Sequence, residues 1–300
     1  MSEYHNPVLL KESIDGLVLN PDGIYADATF GGGGHSREIA SRLSDKGKLI
    51  SFDRDEDAAA NAIDDPRCIL IRNNFRFIHN YSLIEAPEGL DGVLAYLGVS
   101  SHQFDTAERG FSFRYSAPLD MRMNKSGGQT AADIIAEYSQ EDLEKILRIY
   151  GEVENARRVA QLIVTARSSK AIATTDELAE AIAPAVPSFA EHKYLAKVYQ
   201  ALRIEVNQEM RSLEKFLEGA TKALKPGGRL AIITYHSLED RMVKNWIKTG
   251  NIDGELSKDV FGRSQAPLEA VNRKPILPSE EEISSNTRAR SAKLRIAEKL

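Results

Sequence analysis

Four consecutive glycines, Gly31, Gly32, Gly33 and Gly34, stand between a segment that reads as a β-strand and one that reads as a helix. The strand candidate covers residues 23–29 and the helix candidate residues 35–43. A glycine turn in that position opens an α/β fold, because only glycine lets the chain turn tightly and lets a ligand approach the backbone. The pattern then repeats. Residues 48–53 form a second apolar run that ends on Asp53, residues 67–71 a third and residues 91–97 a fourth, with a helical stretch at residues 58–63. Strands that alternate with helices predict a doubly wound, mostly parallel Rossmann-like sheet covered on both faces.

From about residue 130 to 224 the periodicity becomes purely helical. Ser139-x-x-Asp142 opens a helix carrying Leu143, Ile146, Leu147 and Tyr150, with Gly151 as its stop. Thr174-x-x-Glu177 opens another, closed by Pro184 and Pro187. One longer helix is then predicted from Leu195 to Leu224, its apolar residues three and four apart. Lys225-Pro226-Gly227-Gly228 reads as a helix stop and turn, and residues 229–235 as a buried strand. Residues 251–280 read as loop, and residues 291–298 alternate as a half-exposed strand that closes the sheet edge. The predicted organisation is a sheet domain from residues 1–104 and 215–300, interrupted by an inserted, mainly helical domain at 105–214.

Composition narrows the function classes. Across 300 residues, 39 Lys+Arg against 44 Asp+Glu give a net charge of −5. A protein that grips naked RNA through bulk charge is usually basic, so any nucleic-acid contact here must come from local patches or a shaped substrate. No apolar run reaches the ~20 residues of a membrane helix. The opening residues lack the basic-then-apolar pattern of a secretory signal, so a cytoplasmic protein is expected. The single cysteine, Cys68, excludes an internal disulfide and a thiolate zinc cluster; it reads as an inert buried thiol, and no metal site is expected.

Three cofactors compete for the glycine turn. A P-loop needs Gly-Lys-Ser/Thr, and no lysine follows Gly34. A dinucleotide fingerprint needs a third glycine where Ser36 stands, so that match is partial. S-adenosylmethionine has no phosphate; it needs close backbone approach and an acid for its ribose hydroxyls. Asp27-x-x-x-Gly31-x-Gly33 offers the first, and Asp53, 20 residues beyond Gly33, offers the second. An acid at that place serves ribose in both kinds of fold, so Asp53 does not decide between them. A tight turn without a ligand is the remaining alternative.

Longer motifs carry a family resemblance. They are His5-Asn6-Pro7-Val8-Leu9, Asp27-Ala28-Thr29-Phe30 with the glycines and His35-Ser36, Gly98-Val99-Ser100-Ser101, and Glu108-Arg109-Gly110-Phe111-Ser112-Phe113. Pro118-Leu119-Asp120-Met121-Arg122-Met123, Tyr235-His236-Ser237-Leu238-Glu239-Asp240-Arg241 and Arg288-Ala289-Arg290-Ser291 continue them. In this order they resemble the bacterial small-subunit (16S) ribosomal RNA cytosine-N4 methyltransferases. The resemblance implies S-adenosylmethionine as cofactor, and the small ribosomal subunit with its 16S rRNA as partner. It further implies methylation of a cytosine N4 amine in the decoding region, with a second copy of the chain a further candidate partner. It places cofactor contacts on Gly33, Gly34, His35, Asp53, Phe75 and Gln103. One position departs from the family. The family reads Asp-Leu-Gly-Val-Ser-Ser where this chain reads Tyr96-Leu97-Gly98-Val99-Ser100-Ser101. A phenol there removes a charge-assisted contact that contributes about 1.5–3 kcal/mol. The alternative function is therefore a weakened relative that serves as a ribosome- or RNA-binding module.

Methylating an exocyclic amine requires the base to be held in line with the donor and the developing charge to meet an acceptor. The loop after the fourth strand is where such a site belongs. Tyr96 and Ser101 are its catalytic candidates, joined by His236 after the next strand, although a His beside Ser237 and Glu239 is more often a structural hydrogen-bonding residue. Arg109, Phe111 and Arg114 interleave aromatic and cationic groups suited to stacking and phosphate contact. Arg290 and Lys293, with Arg288 and Arg295, form a cationic stretch that reads as a phosphate-contacting stripe. His5 is a candidate substrate-facing residue.

Overall fold

The computed structural model describes residue 7 onward except residues 260, 263 and 264, and it leaves the Ser101 side chain undescribed; His5 lies outside the described residues. The chain divides into two compact units, Met1–Gly98 with Met210–Leu300, and Val99–Glu209.

The first unit is built on one seven-stranded sheet among the described residues. Its strands are β1 (Ile24–Asp27), β2 (Lys48–Asp53), β3 (Cys68–Arg72), β4 (Leu90–Tyr96), β5 (Leu224–Thr234), β6 (Leu268–Ala270) and β7 (Lys293–Lys299), in the order β3-β2-β1-β4-β5-β7-β6. The first five pair in parallel; β7 runs antiparallel to β5 and to β6. Alternate residues face opposite layers. Ala26, Ile50, Val93 and Ile232 share a core with Phe216, Leu217, Val243 and Trp246. Their neighbours Tyr25, Leu49, Leu94 and Ile233 share another with Ile14, Leu17 and Ile39. The flanking helices are α1 (Leu10–Leu17), α2 (Gly34–Arg42), α3 (Ile78–Glu85), α10 (Glu209–Ala223), α11 (Ser237–Thr249) and α12 (Glu280–Ser285). This is a doubly wound α/β sheet, and it brings the carboxyl ends of β1, β2, β4 and β5 to one edge.

Four local expectations are corrected. The helical stretch near residues 58–63 is a 3₁₀ turn, Glu56–Asn61, started by the Asp55 carboxylate accepting the Asp57 N–H. The predicted turn at residues 225–228 lies within β5 as an irregularity: Leu224 pairs with Leu90, and pairing resumes with Arg229 opposite Gly92. The predicted loop at 251–280 contains β6, so β7 is interior to the sheet and β6 is the edge. Three residues, of which only Leu268 is buried, are too few to show alternation. The fourth correction is the long helix, which is two: α9 (Glu191–Asn207) and α10 separate at Gln208, whose φ is 49°. At the break Asn207 donates its amide to the Met121 and Arg203 carbonyls at 2.7 and 2.9 Å and accepts the Met123 N–H at 2.8 Å. A side chain that competes for backbone groups in this way ends a helix whose apolar pattern continues through it.

The second unit is helical: α4 (Ser101–Asp105), α5 (Ala131–Glu137), α6 (Gln140–Gly151), α7 (Ala156–Ser169), α8 (Thr175–Ile182) and α9. Its core joins Leu143, Leu147, Val159, Ile163, Leu178 and Leu202. Ser139 caps α6, and Thr174 with Glu177 forms a reciprocal capping box on α8.

Candidate functional site

The glycine turn in the first unit is held from both sides. Gly31 and Gly33 have φ of 51° and 76°, the left-handed region that glycine enters without strain. The Asp53 carboxylate at the end of β2 accepts the Gly31 N–H at 2.8 Å through Oδ2 and the Asp55 N–H at 2.8 Å through Oδ1. Arg37 clasps the other side, donating to the Gly32 and Asn61 carbonyls at 2.6 and 2.9 Å. A Cβ on Gly33 would stand 2.8 Å from the Phe30 ring and 2.9 Å from Arg37 Nη1, and one on Gly34 2.3 Å from Pro7. A Cβ on Gly31 would meet open space. The Cα face of Gly31 is therefore open while its N–H and carbonyl are engaged by Asp53 and Asn61, whereas Gly33 and Gly34 allow the loop to pack. Burial pushes the Asp53 carboxyl up, partly offset by its two N–H donors, and neighbouring Asp55 and Asp27 push it further.

Beneath the turn lies a polar chain that sequence reading did not assemble. Asp27 is fully buried; Ser36 Oγ donates to its Oδ2 at 2.6 Å and lies 2.9 Å from Ser51 Oγ, while Oδ1 accepts the Thr29 N–H at 3.0 Å. The hydroxyl of Ser36, at the place of a dinucleotide fold's third glycine, thus ties α2 to β1 and β2. His35 is buried, its Nε2–H donating to the Val8 carbonyl at 3.1 Å, and burial lowers its pKa to about 4. It is a neutral ring at physiological pH. Phe75 is half-buried and meets Phe216 edge-on at 5.1 Å.

Tyr96 ends β4, with its N–H on Thr29 Oγ1 at 2.7 Å. Its hydroxyl is hydrogen-bonded to the hydroxyl of Tyr235, and the two rings stand at 90° with centroids 5.5 Å apart. The His35 ring centroid is 5.4 Å from that of Tyr96. Burial raises the pKa of both phenols. His236 is the N-cap of α11: its Nδ1 accepts the Glu239 N–H at 3.4 Å, and Glu239 Oε2 reaches back to the Tyr235 and His236 N–H groups at 2.8 and 3.3 Å. His236 Nε2 lies 3.1 Å from Glu239 Oε1, although without hydrogen-bond geometry. This geometry places His236 in the helix cap, while Glu239 holds the backbone of Tyr235.

In the second unit, Ser101 is the first residue of α4. Gln103 is buried in that helix's capping box, its N–H donating to Ser100 Oγ and its Oε1 accepting the Ser100 N–H, both at 3.1 Å. Arg109 is placed in the interior: it is 5% exposed and donates to the Arg122 and Met123 carbonyls, each at 3.0 Å. Phe111 is buried in the same core as Leu119 and Met121. Arg114, by contrast, is exposed on the rim of a cavity of about 650 Å³. Phe104, Phe113, Tyr199, His192 and Lys193 also line that cavity. Phe113 stands edge-on to Tyr199 at 5.2 Å and tilts against His192 at 5.9 Å. The sequence candidates include Arg114 of this lining but not His192, Lys193 and Tyr199, which come from α9.

The cationic stretch near the C-terminus is divided by a partner 50 or so residues upstream. Arg295 is bidentate on Asp240 at 2.8 and 3.2 Å, and Lys293 Nζ lies 3.5 Å from the same carboxylate. Arg290 is exposed. Cys68 is half-buried, and burial raises its thiol pKa.

The sequence pattern of the MraW methylase family matches residues 2–300. The chain belongs to the MraW methylase family. It is 57% identical over 296 residues to a Bacteroides fragilis protein named ribosomal RNA small subunit methyltransferase H, covering 99% of this chain and 97% of that one. It is 53% identical over 298 residues to a Flavobacterium johnsoniae protein of the same name, covering 99% and 98%. A solved rRNA methylase from Streptococcus thermophilus is similar at 15% identity, covering 97% of this chain and 92% of that one, with a TM-score of 0.42. As a member of this family the chain is a methyltransferase.

Proposed function

We propose that this methyltransferase uses S-adenosylmethionine to methylate the N4 amine of a cytosine in the decoding region of small-subunit ribosomal RNA. The observation that carries the reading is the glycine turn. An acceptor-only carboxylate and the open Cα face of Gly31 meet at this turn, which suits a ribose diol and a cationic sulfonium better than a phosphate. Full-length likeness to proteins named as small-subunit rRNA methyltransferases supports the enzyme over the binding-only alternative. When bound, the cofactor supplies an activated methyl group.

The chain's own residues do the rest. Asp53 would accept from the ribose hydroxyls through lone pairs left beside its two N–H contacts, and Arg37 holds the turn in shape through the Gly32 carbonyl. His35 contributes an uncharged ring. The second unit serves substrate recognition: its aromatic cavity receives an unstacked base other than the target, while Arg114 and Lys193 contact phosphate. Arg290 adds a contact of the same kind. Because the net charge is −5, specificity for an assembled particle over free RNA is expected. The test is transfer of labelled methyl from S-adenosylmethionine to small subunits from cells lacking the modification, run beside naked 16S rRNA. Label incorporated faster into subunits supports the proposal. Absence of label in both, with donor bound, refutes it.

A further inference from the structure

Tyr96, at the place where the family carries an acid, is paired with a second phenol, Tyr235, and the arrangement has its own chemistry. Tyr96 and Tyr235 stand at the ends of the adjacent parallel strands β4 and β5, and each is fixed through its backbone N–H, one by Thr29 and the other by Glu239. Both rings are half-buried, and His35 packs against the first. A hydrogen bond between two hydroxyls uses one O–H and one lone pair. It leaves the donor's oxygen a stronger acceptor and the acceptor's own O–H a stronger donor, because the bond polarises both groups. A carboxylate offers acceptors only. The amine edge of cytosine presents an N–H donor beside a ring-nitrogen acceptor, which is the complement of the phenol pair and only half the complement of a carboxylate.

We infer that Tyr96 and Tyr235 act as one hydrogen-bonded unit that receives the amine edge of the target base. One oxygen accepts from the amine N–H, and the other hydroxyl donates to the adjacent ring nitrogen. The role rests on the base-methylating function proposed for this chain, and it adds Tyr235 as a substrate-touching residue. The unit carries no charge: burial holds both phenols protonated, with Glu282 and Glu239 on the neighbouring helices acting in the same direction and Arg288 opposing on Tyr96. Glu282 is itself held by the Leu9 N–H at 2.7 Å.

The experiment compares Tyr96→Phe, Tyr235→Phe and the double variant in steady-state methylation of undermethylated small subunits. Calorimetric titration with S-adenosylhomocysteine serves as the control for folding and for the cofactor seat. Each single variant is expected to lower kcat roughly tenfold, with product-cofactor affinity unchanged within about twofold. The double variant should be no slower than the slower single, since loss of either hydroxyl dismantles the unit. Tyr96→Asp should add an acidic ionisation to the kcat/KM profile that the parent lacks, an effect that a purely structural tyrosine would not produce. The inference is overturned if a phenylalanine variant keeps parental kcat, or if the double loss is the product of the single losses. A parent chain that makes no product overturns the functional reading itself, and this role with it.

Discussion

Replacing Asp53 by Asn leaves volume nearly unchanged and alters one acceptor and one charge. The carboxylate currently takes the Gly31 and Asp55 N–H groups, each at 2.8 Å. An amide sets its NH₂ against one of those donors, so one contact is lost and the other weakens. A hydrogen bond to a charged acceptor contributes about 1.5–3 kcal/mol. With the ribose diol on this carboxylate, donor affinity should therefore fall about 10- to 150-fold. Folding stability responds differently. Burial disfavours the charged form of Asp53 in the fold, so a neutral amide relieves that cost while it loses the contact, and the net change should stay within about 1 kcal/mol. Calorimetry with S-adenosylhomocysteine measures the first quantity and urea unfolding the second. A folded variant whose affinity lies within about threefold of the parent would refute the ribose contact.

The same geometry yields three further outcomes. Gly33→Ala combines a φ of 76° with a Cβ 2.8 Å from the Phe30 ring, so thermal unfolding should show a loss of about 1–3 kcal/mol, together with weakened donor binding. His35 has a pKa of about 4 in the fold and 6.5 as the ordinary value, so the unfolded chain takes up the proton first as pH falls. The stability linked to this residue is full above about pH 6.5 and is lost between there and about pH 4, on the order of 3 kcal/mol; His35→Gln should flatten that part of the urea-midpoint profile. Arg114→Ala should weaken subunit binding without changing donor affinity, and should reduce the slope of log affinity against log salt by about one. An unchanged slope would remove Arg114 from the RNA surface.

The strands and the glycine turn were legible because their signals are local: buried parallel strands are apolar throughout, and the turn needs glycine at closely spaced positions. Three kinds of feature were not. β6 has three residues and one buried side chain, too little for a period to show. The break at Gln208 depends on Asn207 reaching Met121 and Met123, more than 80 residues upstream. Mixtures of aromatic and cationic residues do not tell an interior from a surface: Arg109 and Phe111 are buried, whereas Arg114, three residues on from Phe111, is exposed. The same distance effect hid Asp240 beneath the cationic stretch, the Asp27–Ser36–Ser51 chain, and Tyr235 as the partner of Tyr96.

The most direct measurement is identification of the product nucleoside. Small subunits lacking the modification are incubated with the protein and isotopically labelled S-adenosylmethionine; their RNA is then digested to nucleosides and resolved by mass spectrometry. The label is expected in N4-methylcytidine from a single decoding-region position. Label in a ring-carbon or ribose methyl group, or in adenosine or guanosine, would contradict it.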